Sequence, residues 1–316
     1  MSANINSMMF VGEKPWHGLG KKLEKVATSA EAIIAAGLNW VVNKTPVLYQ
    51  KVGGFIEPVA DQYVVVRADN QKPLGVVGKQ YKVLQNKEAF SFFDAVVGVK
   101  EAMYHTAGAL GDGERVWILA KLPGYIRVGG DDVSEKFLLL VNTHDGTTAA
   151  RMMFTPIRVV CQNTLNIALG GTEAKASIRH TTNMGIKIDD VRKTLQIVNA
   201  RFTMFEDAAK KLAVTQLTGD AWKSYLIGLK LASDEDDATT RMKNITEEVS
   251  RLFESGKGAD MKTAKGTAWG AFNAVAEYVD YVRGSDKIES RAKSLLFGSG
   301  ADLKQRAWDA AIALTK

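Results

Sequence analysis

Residues 188–212 read IDDVRKTLQIVNARFTMFEDAAKKL, and their spacing decides how the chain divides. Ile188, Val191, Leu195, Val198, Phe202, Phe205, Ala209 and Leu212 recur at alternating steps of three and four. That is a heptad seam, so the stretch is expected to form one straight helix about 40 Å long at ~1.5 Å per residue. Such a seam packs within its own chain or against a second copy of it. A homo-oligomer through this seam is therefore one expectation.

Working outward, the period changes on either side of about residue 186. All six prolines (Pro15, Pro46, Pro58, Pro73, Pro123 and Pro156) lie before it. Proline breaks helix interiors and is tolerated in turns and at strand edges, so the first part should hold the sheet. The runs NWVVNKTPVLYQKV, DQYVVVRA, LGVVGKQYKVL, AMYHTAGAL, ERVWILAKL and EKFLLLVNT are β-branched and aromatic, separated by turn residues, as antiparallel strands are. TSAEAIIAAG (28–37) and NKEAFSFFDAVVG (86–98) read as helices crossing that sheet, the first with a Ser or Thr cap and a stop at Gly37. His144-Asp145-Gly146-Thr147 reads as a type I′ hairpin turn into a strand over 148–154, with Pro156 in the first turn of a following helix.

After the long helix, DAWKSYLIGLKLA, ATTRMKNITEEVSRLFESG and ADLKQRAWDAAIALT read as shorter helices. AWGAFNAVAEYVDYVR repeats the seam spacing through Trp269, Phe272, Val275, Val279 and Val282. The expected fold is α+β: an antiparallel β-sheet with crossing helices in the N-terminal half, followed by a helical lobe with one long helix. The expected domains are 1–185 and 186–316.

Composition bounds the function. With 46% hydrophobic and 24% charged residues the chain is an ordinary globular protein rather than a disordered or fibrous one. No apolar run approaches the ~18 residues that span a bilayer. The start, MSANINSMMFVGEKPW, lacks a basic segment followed by an apolar block, so no secretory signal is read and a cytoplasmic location is expected. One cysteine, Cys161, forms no internal disulfide and excludes metal sites built on cysteine clusters.

Enzyme signatures are missing. There is no GxxxxGK[ST] and no HExxH, and His17, His105, His144 and His180 are scattered without ligand spacing. The acidic run Asp234 to Asp237 lacks the glycine and distal glutamate of a calcium loop and reads as the solvated entrance to a helix. No catalytic residue, metal or cofactor is expected.

The charge is uneven. The net is +6 overall, but residues 101–150 hold four Lys/Arg against seven Asp/Glu. Residues 151–201 hold eight Lys/Arg against three acids, a local net of +5. Within this segment RMMFTPIRVVCQNTLNIAL (151–169) is read as a helix from about Ile157. Cys161 then joins an apolar stripe with Ile157, Val160, Thr164 and Ala168, where free cysteine behaves as a small hydrophobe. The opposite stripe carries Arg158, Gln162, Asn163 and Asn166. Amides on one helix face serve either the neighbouring sheet or sugar-phosphate oxygens. Arg151, then Arg179 and His180 in the extended ASIRHTTN, then Lys187, Arg192 and Lys193 on the first turns of the long helix complete a nucleic-acid-binding set. Tyr104 and Phe154 are the aromatics nearby in sequence. A solvated basic face is the alternative.

VGEKPWHGLG near the start, RVVCQNTL in the centre, IRHT before the long helix, and GTAWGAFNAVAEYVDYV with SLLFGSGADLKQRAW near the end resemble, in that order, the phage/plasmid-like protein family. That is a domain-of-unknown-function family of bacteriophage, prophage and conjugative-plasmid genomes. The resemblance carries over Trp16, His17, Arg158, Gln162, Asn163, Asn166, Arg179 and His180, with Trp16 and His17 either part of a site or a buried anchor. By context it implies similarity to phage single-strand annealing proteins. Those bind single-stranded DNA without nucleotide hydrolysis. The function expected is single-stranded DNA binding in recombination or replication; the alternative is a non-enzymatic factor acting on a host protein.

Overall fold

The computed structural model describes residues 5–11, 20–25, 27–97, 103–148, 150–158, 176–178, 188–217, 219–232, 239–283 and 298–316. Strands and two helices come first and helices follow, so the fold is α+β. By compactness the chain falls into two units, each drawn from several segments. The first is Met1–Leu122, Leu138–Met153 and Lys175–Ile197. The second is Pro123–Phe137, Phe154–Ala174 and Val198–Lys316.

The strands among the described residues are β1 (Ile5–Val11), β2 (Lys21–Leu23), β3 (Val42–Gln50), β4 (Ile56–Arg67), β5 (Pro73–Gly78), β6 (Met103–Leu110), β7 (Arg115–Gly129), β8 (Asp132–Thr143), β9 (Ala150–Arg158) and β10 (Ala176–Ile178). They form two sheets rather than one. The larger runs β10-β9-β8-β7-β6-β1-β2 and the smaller β3-β4-β5. β6 pairs antiparallel with β1 and β7, and β10 with β9, but β1 and β2 are parallel. β1, INSMMFV, was not read from the sequence because it lacks a clear alternation. Met8, Met9 and Phe10 are all buried in it.

The helix α1 (Ser29–Ala35) begins at the expected cap. Glu31 N donates to Thr28 Oγ1 at 3.3 Å and Thr28 N donates to Glu31 Oε2 at 2.9 Å, a reciprocal capping box. The backbone N–H of Thr28, with its hydroxyl second, holds the Glu31 carboxyl below its usual range. Gly37, at φ +64°, turns the chain out of the helix. α1 packs on α2 (Asn86–Val97), β1 and β6. Tyr104 of β6 is enclosed here, its hydroxyl donating to Asp94 Oδ1 at 2.6 Å. Burial, with Asp94 beside it, pushes that phenol well above its usual pKa.

Two turn readings need correction. In His144-Asp145-Gly146-Thr147 only Gly146 takes a positive φ, +74°, whereas type I′ needs two. Asp145 instead accepts from Thr147 N (2.9 Å) and Thr147 Oγ1 (2.6 Å), building the bend from its side chain. Pro156 lies inside β9, not at a helix start, so Ile157 and Arg158 are strand residues. Proline fits there because β10 pairs only with Ala150–Met152 and leaves the ladder one-sided further along among the described residues.

The second unit holds most of α3 and the helices after it. α3 (Ile188–Val214) is the predicted long helix, contributing Val198 onward to this unit. α4 (Gly219–Gly228), α5 (Thr240–Ser255), α6 (Ala268–Glu277) and α7 (Ser299–Ala313) follow. Phe202, Phe205, Ala209 and Leu212 of the seam are all buried within the chain. Phe205 stacks on Trp308 at 5.1 Å and 12° and meets Trp269 edge-on at 6.1 Å. Asp132 is enclosed and accepts from Trp269 Nε1 (2.9 Å) and Thr263 Oγ1 (2.6 Å). α6 passes directly into a π-helical turn, Tyr278–Val282, closed by Arg283 N donating to Tyr278 O at 2.7 Å. The extra residue in that turn breaks the seam read from sequence. Val279 is buried as expected, but Val282 is 42% exposed.

Candidate functional site

Most of the predicted site lies outside the described residues: Trp16, His17, Gln162, Asn163, Asn166, Arg179, His180 and Lys187. Cys161 and the acidic run 234–237 lie outside them too. Arg151 and Arg158 stand on β9, and Arg192 and Lys193 on the first turns of α3, with their side chains outside the description. The backbone register sets Arg151 opposite Ser177 of β10, the strand that leads into Arg179 and His180. Tyr104 and Phe154 are buried at 1% and 6% exposure, so neither is open to a base. Alternation along a strand marks two faces without saying which is covered, and that is why sequence left them open.

Two polar assemblies are described in full, and they differ in kind. In the first unit, Arg67 lies against Trp40, its guanidinium carbon 4.4 Å from the ring centre. Its Nε and Nη2 donate to the two Asp69 oxygens (2.7 and 2.9 Å), and its Nη1 to Asn6 Oδ1 (2.8 Å) and Asp112 O (2.9 Å). Four bonds from a buried guanidinium leave little for a ligand. Beside it, His144 is buried with its Nε2 3.0 Å from Asn86 Oδ1, and Asn86 Nδ2 donates to Leu38 O at 3.0 Å. This assembly pins β4, the β6–β7 turn and the start of α2 together, which is scaffold work.

The second assembly opens to solvent. α5 starts at Thr239, whose hydroxyl accepts from Met242 N at 3.2 Å. The helix buries Val249 and Leu252, leaving Arg241, Asn244, Ile245 and Glu248 on one stripe at i, i+3, i+4 and i+7. That stripe faces the π turn across a groove of about 490 Å³ whose other wall is Tyr278, Val282 and Arg283. Arg283 is anchored at one end, donating to Ser299 O (3.0 Å) and Ser299 Oγ (3.3 Å) at the start of α7.

The charges in the groove are partly balanced. Glu248 accepts from Arg251 Nη2 (2.6 Å) and Nε (3.0 Å), and this pairing holds its carboxyl below the usual range. Burial raises the Tyr278 hydroxyl, while the guanidiniums of Arg283 and Arg241 pull it back, so both cations act on the phenol. Two cations and an amide beside Ile245 and Val282 form recognition chemistry for an anion, with the largely buried Tyr278 beneath them. Sequence reasoning missed this groove because Arg241 and Arg283 look like ordinary surface charges. The available signal was Glu277 and Asp280, two acids within an otherwise apolar helical run. Among the described residues no group of three or more His, Cys, Asp or Glu is placed to hold a metal, and no helix is long and apolar enough to cross a membrane.

Residues 73–305 match the model of a family described as a domain of unknown function, DUF932, so the match runs from β5 into α7 and leaves β1 to β4 before it. No curated protein and no solved structure matches the chain.

Proposed function

The chain belongs to the DUF932 family, and from that premise we propose that it binds nucleic acid, single strands in particular, without hydrolysing nucleotides. The observation that carries this reading is the groove that Arg241 and Arg283 line together. Guanidiniums serve phosphate oxygens. The excess of positive charge in residues 151–201 supports the same reading as a second source of phosphate contacts. The resemblance to the phage/plasmid-like family supports a role in recombination or replication of mobile genetic elements, similar to single-strand annealing. The reading needs no cofactor and no metal.

A role as a non-enzymatic factor acting on a host protein is the second reading. It is favoured by exposed apolar residues on the β3–β4 hairpin.

The test is fluorescence anisotropy with labelled single- and double-stranded oligonucleotides, at low and at near-physiological salt. Wild type is compared with Arg158→Ala/Arg179→Ala and with Arg241→Ala/Arg283→Ala. The expected result is single-strand binding with a steep salt slope, weakened in both double variants. Absence of binding by wild type at either salt overturns the proposal.

A further inference from the structure

The groove of α5 and the π turn carries one charge that does not suit an anion. Among the described residues that line it are two guanidiniums, Arg241 and Arg283, and one carboxylate, Glu248. A carboxylate close to a bound oxyanion repels it. The structure shows what answers that charge. Arg251 Nη2 donates to Glu248 Oε1 at 2.6 Å, and Arg251 Nε donates to Glu248 Oε2 at 3.0 Å. Arg251 stands one turn further along α5 and takes no part in the lining of the groove. One guanidinium thus engages both oxygens of the groove's acid from outside it.

We propose that Arg251 is a positioning residue for this groove: it holds the Glu248 carboxylate to itself, so that Arg241 and Arg283 are left unopposed for an oxyanion. The inference rests on the reading of the groove as a phosphate contact and names the residue that sets its charge. With Arg251 in place the acid is paired, and the ligand meets two cations. Without it the carboxylate is free to repel the ligand or to bond one of the two arginines itself. Arg251 touches no ligand in this arrangement and acts through Glu248 alone.

Three observations support it. The first is the fork itself, since two bonds from one guanidinium fix the plane of a carboxylate as well as its place. The second is the order along α5, acid three residues before base, which is the orientation a helix favours. The third is exposure. The Glu248 side chain is 28% exposed and that of Arg251 56%, so the acid is the inner member of the pair and the base the outer one. Glu277 also acts on Arg251, after Glu248, but it is buried and accepts from Lys257 N at 3.1 and 3.3 Å. That backbone donor holds Glu277 and leaves the Arg251 fork to Glu248. An exposed pair adds little to stability, so its loss is read in binding and not in folding.

The experiment follows inorganic phosphate by phosphorus NMR line broadening as the full chain is added, at low and at near-physiological sodium chloride. Arg251→Ala is expected to weaken phosphate binding about threefold to fivefold at low salt, and less at the higher salt. Glu248→Gln binds at least as tightly as wild type. Glu248→Gln/Arg251→Ala returns to the level of Glu248→Gln although a cation has gone. Arg251→Lys keeps most of the affinity, because an ammonium still answers the acid. Circular dichroism melts of the variants are expected to coincide with wild type. An Arg251→Ala chain that binds as wild type does overturns the proposal. So does a double variant as weak as Arg251→Ala, which would mean that Arg251 meets the anion directly. A wild type that binds no phosphate, or phosphate binding that survives Arg241→Ala/Arg283→Ala, overturns it as well. Phosphate binding coupled in this way but without oligonucleotide binding leaves the proposal standing and removes the proposed function. Oligonucleotide binding without the coupling does the reverse.

Discussion

Lys304 Nζ sits 2.8 Å from Asp280 Oδ1, and both side chains are enclosed by the second unit. The pair ties α7 to the π turn that forms one wall of the groove. A buried pair costs desolvation to assemble, but an unpartnered buried charge costs more. Lys304→Met or Asp280→Asn alone is expected to destabilise by about 3–5 kcal/mol. The double variant Lys304→Met/Asp280→Leu recovers most of that loss. Urea unfolding of the three proteins checks the prediction; a double variant as unstable as the singles would show that packing alone is at stake.

Gly270 lets α6 approach the preceding turn. A Cβ there would lie 1.9 Å from Ala264 O, a backbone atom that cannot swing away. Gly270→Ala is expected to lower stability by at least about 2 kcal/mol despite alanine's better helix propensity. A thermal melt that stays level with wild type would refute it.

Tyr81 donates to Thr143 O at 3.0 Å. Burial, with the nearby Asp145 second, pushes its hydroxyl up to about 12. A raised folded-state pKa favours the protonated form, so the stability it contributes is complete below about pH 10 and is lost as pH rises toward 12. In Tyr81→Phe that part of the alkaline decline is expected to disappear. Ultraviolet titration of the phenolate, wild type against variant, reads the difference directly.

If the arginine groove grips phosphate, Arg241→Ala/Arg283→Ala lowers the slope of log affinity against log salt by about one to two. Equal slopes for the double variant and wild type would remove the groove from the binding surface.

The sequence made the scaffold readable where one local signal had one solution. Thr28 announces a helix cap, and the seam through Leu212 announces a helix. Reading failed where tertiary context chose between solutions. Val282 fits the heptad that continues through Val279, and only the π turn puts it outside. Pro156 suits both a first helical turn and a one-sided strand, and pairing decided for the strand. Asp-Gly suits two kinds of turn, and the hydrogen bonds from Thr147 to the Asp145 carboxylate decided. The groove was invisible because Arg241 and Arg283 are 42 positions apart in the chain. Of the site that was read, Arg151 is the member whose backbone pairs with β10, opposite Ser177, which stands two residues before Arg179.

The bond between Asp132 and Trp269 spans 137 residues. On a ribosome adding ~5–20 residues per second, the carboxylate waits on the order of ten seconds before its indole partner is made. During that interval the β7–β8 tip carries an acid built for a dry interior while still bathed in water, and water satisfies it at no cost. A carboxylate at that position is thus hydrated until Thr263 and Trp269 are made, and then becomes their acceptor.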